Sequence, residues 1–154
     1  MYWRDVMRIS VKTRYALAAT ISMAQEYEKG TRITIIKLSE KMNISKIYLE
    51  HVFSLLKRAD IVVSTKGAQG GYQLTKAPAL ITAFDIFVAV EQPLFEKTEE
   101  TVLEMAPNIE KAMQLTVFEQ LDISIKDFLM NVSLATLAED ACKYNSDENH
   151  MFYI

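Results

Sequence analysis

Between Lys46 and Arg58 the chain gathers Lys46, Tyr48, Glu50, His51, Ser54, Lys57 and Arg58, and Lys66 follows soon after. Hydroxyls, an imidazole, a carboxylate and several cations at that density suit hydrogen bonding to base edges and neutralisation of phosphates. They suit catalysis badly. His51 and His150 stand far apart, with no carboxylate or cysteine at ligand spacing. The single cysteine, Cys142, excludes an internal disulfide and any CxxC-type metal site. Gly67, Gly70 and Gly71 lie between two β-prone runs, so they form no phosphate loop between a strand and a helix. The expectation is a protein that is not an enzyme, holds no metal or cofactor, and binds double-stranded DNA. On this reading Tyr48, Glu50, His51 and Ser54 face bases or sugars, while Lys46, Lys57, Arg58 and Lys66 face the backbone. Glu50 has two readings: it accepts a hydrogen bond from cytosine N4, or it is a surface charge orienting Lys46 or Lys57.

Such residues need a rigid carrier. Ile35, Leu38 and Met42 recur at helical spacing behind Thr34, a capping residue. Asn43-Ile44-Ser45 interrupts them. Asn43 tolerates the left-handed conformation of a sharp turn, and Ser45 is placed to cap the next helix. That helix spans Lys46 to Ala59, with Leu49, Val52, Phe53, Leu56 and Ala59 inward and the polar set outward. A helix-turn-helix puts its second helix in the major groove. Two β-prone runs, Ile61 to Thr65 and Tyr72 to Thr75, flank the Gly-containing turn and predict a hairpin, or wing. Lys66 near its tip suits a phosphate or a minor groove.

Upstream, Val11 to Tyr27 predicts a helix packed through Tyr15, Ala18, Ala19, Ser22 and Met23. Downstream, Ala77-Pro78-Ala79 breaks the chain. Thr82 and Asp85 then have reciprocal capping spacing, opening a short helix to Val90 packed by Phe84, Phe87 and Val88.

The 154 residues, 50% hydrophobic and 24% charged, fit one globular domain with a helical extension. No apolar stretch approaches the roughly 18 to 20 residues of a membrane span. Arg4, Asp5, Arg8, Lys12 and Arg14 interrupt any signal-peptide pattern. A cytoplasmic protein without a membrane partner is expected. Residues 1–76 hold 13 Lys and Arg against 6 Asp and Glu, whereas residues 77–154 hold 4 against 14. The net charge of −3 thus conceals a basic front half at +7 and an acidic back half at −10. The front attracts phosphate and the back is repelled by it.

Met7-Arg8-Ile9-Ser10-Val11-Lys12-Thr13-Arg14-Tyr15-Ala16-Leu17, Ser45-Lys46-Ile47-Tyr48-Leu49-Glu50 and Lys66-Gly67-Ala68-Gln69-Gly70-Gly71-Tyr72 resemble motifs of the Rrf2 family of bacterial winged-helix repressors. The resemblance covers about residues 7 to 144. It implies a mainly α fold with a small β-hairpin, in which a winged helix-turn-helix domain precedes a long dimerisation helix. It also implies that Lys12 and Arg14 lie beside the DNA backbone. Many members carry arginine where this chain has Lys66; a lysine leaves a point charge in place of a bidentate fork. Cluster-binding members place three cysteines after the fourth helix, where this chain's Pro93 to Pro107 has none. No iron–sulfur cluster is therefore expected.

The chain divides as an N-terminal extension (1–6), the DNA-binding domain (7–92), an acidic loop (93–107), helices (108–144) and a tail (145–154). Val117, Phe118, Leu121, Ile125, Phe128 and Leu129 form a wide apolar stripe. By itself the stripe reads as intramolecular core or as a dimer seam; the resemblance selects the seam and so a homodimer. Ser133 caps a last short helix ending at Ala141, and residues 145–150 read as a flexible linker. Met151, Phe152, Tyr153 and Ile154 form an apolar end, which either folds back on the protein or binds a partner. Its similarity to the tail of the family's cysteine-metabolism regulators points to cysteine synthase, whose substrate-carboxylate site would take the Ile154 carboxylate. Cys142 reads as a small packing residue or a redox switch. Two other functions stay open: an oxidant-sensing repressor working through Cys142, and a protein-interaction module with a vestigial DNA face.

Overall fold

Helices form where caps and apolar spacing coincide. The computed structural model describes residues 8–151, with side chains described for 8–145. Ser10 caps α1 (Val11–Gln25), accepting a hydrogen bond from the Thr13 N–H at 3.2 Å. Thr34 caps α2 (Ile35–Met42) in the same way through the Lys37 N–H. Asn43 adopts the left-handed conformation, φ 52° and ψ 46°, and turns the chain into α3 (Lys46–Arg58). Ser45 is the residue before α3, but its side chain makes no capping bond. Ser39 fastens the turn instead, its hydroxyl donating to the Ile44 carbonyl at 2.6 Å.

Strands β1 (Val62–Thr65) and β2 (Gly71–Leu74) pair antiparallel, with Val62 opposite Leu74 and Thr65 opposite Gly71. Among the described residues the fold is mainly helical with this one hairpin, as the resemblance implies. Phe53, Leu38, Leu49, Leu56, Val52 and Ile86 are fully buried in the core, each contributing roughly 1.5 to 3 kcal/mol. α1 runs through the middle of the core, against α3, β2 and two later helices. Its buried face is therefore wider than its spacing suggests. Thr13, Ala16, Thr20 and Ala24 are buried along with Ala19, Ser22 and Met23, whereas Tyr15 and Ala18 are only half-buried. The buried Thr20 hydroxyl is satisfied within the helix by the Ala16 carbonyl at 2.8 Å.

α4 (Ala83–Val90) has both bonds of a capping box: the Thr82 N–H donates to the Asp85 carboxylate at 2.7 Å, and the Asp85 N–H to the Thr82 hydroxyl at 3.3 Å. Ala83, Ile86, Phe87 and Val90 form its inner face, leaving Val88 exposed rather than packed. Thr82→Ala should cost about 1 kcal/mol in urea unfolding and fray the start of α4.

Residues 93–107 lack periodicity yet are held by side chains. Phe95 meets the Phe84 ring edge-on at 5.4 Å, and the Val102 N–H donates to the buried Glu110 carboxylate at 3.0 Å. α5 (Pro107–Met113) then passes through a π-helical turn (Gln114–Phe118) into α6 (Glu119–Met130). Next, α7 (Leu134–Met151) returns against α1 and sets Leu134 in the core. α7 is longer than expected and takes in the stretch 145–150 read as a flexible linker. Neither glycine nor proline occurs there to stop it. Phe152, Tyr153 and Ile154 lie outside the described residues, as do residues 1–6. No helix among the described residues is long and apolar enough to cross a membrane.

Candidate DNA-binding face

α3 buries Leu49, Val52, Phe53 and Leu56, which turns Glu50, His51, Ser54 and Arg58 outward. Glu50 lies 3.9 Å from Lys46, with both side chains more than half exposed. A pair so exposed is worth at most about 1 kcal/mol and is easily exchanged for a base or a phosphate. The surface-charge reading of Glu50 therefore has a geometry toward Lys46. Lys57 is engaged elsewhere, its ammonium donating to the Ser64 hydroxyl at 2.7 Å. The Ser54 hydroxyl donates to the His51 carbonyl at 2.8 Å, so its lone pairs remain to accept. Tyr48 is partly taken up by α1, its ring edge-on to Tyr15 at 5.2 Å.

One outward residue escaped the sequence reading. Ile47, at the second position of α3, is 78% exposed. It lies three and four residues before Glu50 and His51, and therefore on their face. Reading every apolar residue as core hides it, although it is out of phase with Leu49, Val52, Phe53 and Leu56. An exposed branched apolar side chain among exposed polar ones suits a thymine methyl group.

The wing is fixed both to this helix and to the segment before α2. Phe53 of α3 packs edge-on against Tyr72 of β2, centroids 4.6 Å apart. Ile33 and Tyr72 exchange backbone hydrogen bonds at 2.9 and 2.8 Å, and the Arg32 guanidinium donates to the Gln69 carbonyl at 3.1 Å. Glycine is required where these segments meet. A Cβ on Gly70 would fall 2.4 Å from the Thr65 carbonyl oxygen, and one on Gly71, at φ +148°, 2.9 Å from that of Ile33. Lys66 is exposed at the end of β1, where the turn begins. On α1, Arg14 is exposed and Lys12 half-buried.

The apolar stripe is mostly uncovered. Leu121 is 51% and Phe128 70% exposed, and Val117 and Phe118 are exposed as well. Leu129 differs: at 8% exposure it is buried with Ala83 and Phe87, and Ile125 is packed beside them. Leu129 thus anchors α6 to α4 rather than adding to the uncovered stripe. Cys142 is exposed on α7, with the Gln25 amide donating toward its sulfur at 3.8 Å.

Residues 9–140 match the model of the family described as "Rrf2: Iron-dependent Transcriptional regulator". The chain is 34% identical over 150 residues to the HTH-type transcriptional regulator CymR of Bacillus subtilis, covering 96% of this chain and 100% of that one. It is 32% identical over 148 residues to the regulator IscR of Erwinia tasmaniensis, covering 92% and 88%. Among solved structures, "The Structure of CymR (YrzC) the Global Cysteine Regulator of B. subtilis" superposes with a TM-score of 0.70 at 30% identity, over 87% of this chain and 98% of that one. The iron in the family description finds no matching donor set. A thiolate-held cluster needs several cysteines, the chain has one, and no three His, Cys, Asp or Glu among the described residues are grouped to hold a metal ion.

Proposed function

Because the chain belongs to the Rrf2 family of transcriptional regulators, we propose that it is a homodimeric repressor reading a pseudo-palindromic operator without an iron–sulfur cluster. The observation that carries this reading is the outward face of α3, with Ile47, Glu50 and His51 exposed beside a wing pinned to the same helix. Two such helices enter successive major grooves, about one helical turn apart. Glu50, His51, Tyr48, Ser54 and Ile47 face base edges. Lys12, Arg14, Lys46, Lys57, Arg58 and Lys66 face phosphates. The apolar groups of residues 117–128 form the seam between copies. Since its target is chromosomal DNA, the protein acts in the cytoplasm.

Salt dependence and operator selection test the two kinds of contact separately. Lys66→Ala or Arg58→Ala should weaken binding to all sequences alike and flatten the salt slope by roughly 1 per lost phosphate contact. Glu50→Ala should instead relax preference at one base pair in each half-site. An unchanged selected sequence removes Glu50 from the readers.

The likeness to CymR, described as a global cysteine regulator, supports sulfur metabolism as the regulated process. We place the sensing in the terminal residues Met151, Phe152, Tyr153 and Ile154. The Ile154 carboxylate would occupy the substrate-carboxylate site of cysteine synthase, so that substrate and repressor compete for the enzyme. Deleting Ile154 should abolish the heat of binding to the source organism's cysteine synthase in calorimetry. Absence of binding by the full chain, with or without O-acetylserine, refutes this part alone.

A further inference from the structure

Glu91 is the residue at the C-terminal end of α4, yet its carboxylate serves the start of α1. Its Oε2 accepts a hydrogen bond from the Ser10 hydroxyl at 2.5 Å and a second from the Thr13 hydroxyl. The same two hydroxyls are 3.1 Å apart, and Thr13 is wholly buried. Ser10 also accepts from the Thr13 N–H, and its carbonyl accepts from the Arg14 N–H at 3.1 Å. The carboxylate therefore sits at the positive end of the α1 helix dipole, where an anion is favoured. Burial pushes the Glu91 carboxyl upward, but the Ser10 and Thr13 hydrogen bonds and the nearby Lys12 charge outweigh it and hold the group below the usual carboxylate range.

The first turn of α1 carries Lys12 and Arg14, and its entrance carries Arg8. No salt bridge of 4 Å or less joins any of these three to an acid among the described residues. We propose that Glu91 is a positioning residue for the α1 phosphate clamp, holding the Ser10–Thr13 turn so that Lys12 and Arg14 reach the DNA backbone together. This inference rests on the DNA-binding reading. Glu91 itself touches no nucleic acid; it acts through Ser10 and Thr13. A long cationic side chain loses rotamer entropy on binding, and a fixed first turn removes the further cost of ordering its backbone.

The test is titration of a duplex carrying the selected operator, by anisotropy, with the full chain, Glu91→Gln, Arg14→Ala and the double variant, across 50 to 200 mM salt. Glu91→Gln keeps the shape of the side chain but removes its charge. It should flatten the salt slope by roughly 1 to 2, each unit being about a three- to fourfold smaller loss of affinity over that range, and leave the selected sequence unchanged. Arg14→Ala should then have less effect in the Glu91→Gln background than alone, because the two act through one turn. Hydrogen exchange should show faster opening at the Thr13 and Arg14 amides. If Glu91→Gln does not fold, Ser10→Ala removes one of the two hydroxyls and should give an intermediate slope. A parent-like slope in the folded variants, or full additivity with Arg14→Ala, overturns the inference while leaving the DNA reading intact. A parent chain that binds no duplex overturns the DNA reading itself.

Discussion

Leu121→Asp combined with Phe128→Asp should give a folded monomer whose operator affinity falls by two to four orders of magnitude. Both side chains are at least half exposed in the protomer, so aspartate at either position breaks nothing within it. Across a seam between two copies, the same changes bury four carboxylates without partners, at several kcal/mol each after relaxation. If two copies join there as proposed, their separation leaves one α3 helix per molecule. The second half-site contact is then no longer intramolecular, which forfeits about 10² to 10⁴ in avidity. Leu129→Ala is the internal control. It should lower the stability of each protomer by about 2 to 5 kcal/mol, because Leu129 is packed against Ala83 and Phe87. A double aspartate variant that still sediments as a dimer places the seam elsewhere.

Phe53→Ala should lower the unfolding free energy by about 3 to 5 kcal/mol, a large part of the roughly 5 to 15 kcal/mol that a domain possesses. Phe53 is 0% exposed and is the largest of the fully buried side chains. Its ring also supports Tyr72, so the variant loosens the wing as well as α3. Urea unfolding should show a lower midpoint with an unchanged slope. A loss under about 1 kcal/mol would mean that neighbouring side chains collapse into the space, in contrast to the usual core response.

The reading helix and its turn are legible because local chemistry decides them. Asn43 supplies the left-handed residue, and the apolar spacing in α3 agrees with the buried set of Leu49, Val52, Phe53 and Leu56. The Thr82–Asp85 box is equally local. α1 is less legible, because its wide buried face depends on how many elements surround it, which no periodicity encodes. α7 illustrates the opposite error. Its polar end reads as linker by composition, but without glycine or proline a helix already docked on α1 continues through it. Within the site, Ile47 is missed because an exposed apolar residue and a core residue look alike until the helix is turned. The Glu91 link is missed because 81 residues separate it from Ser10, and nothing in either local sequence points to the other.

α4 packs against α1, α3 and α6, so one eight-residue helix adjoins both the face proposed to read DNA and the stripe proposed to join two copies. Thermodynamic linkage then imposes a symmetry on the two events. Whatever factor operator DNA adds to the association of two chains, association adds the same factor to operator affinity. On that proposal, a molecule that shifted α6 relative to α4 would release DNA without touching any residue of the α3 face, and it would itself bind more weakly to the DNA-bound form by whatever factor it lowers operator affinity.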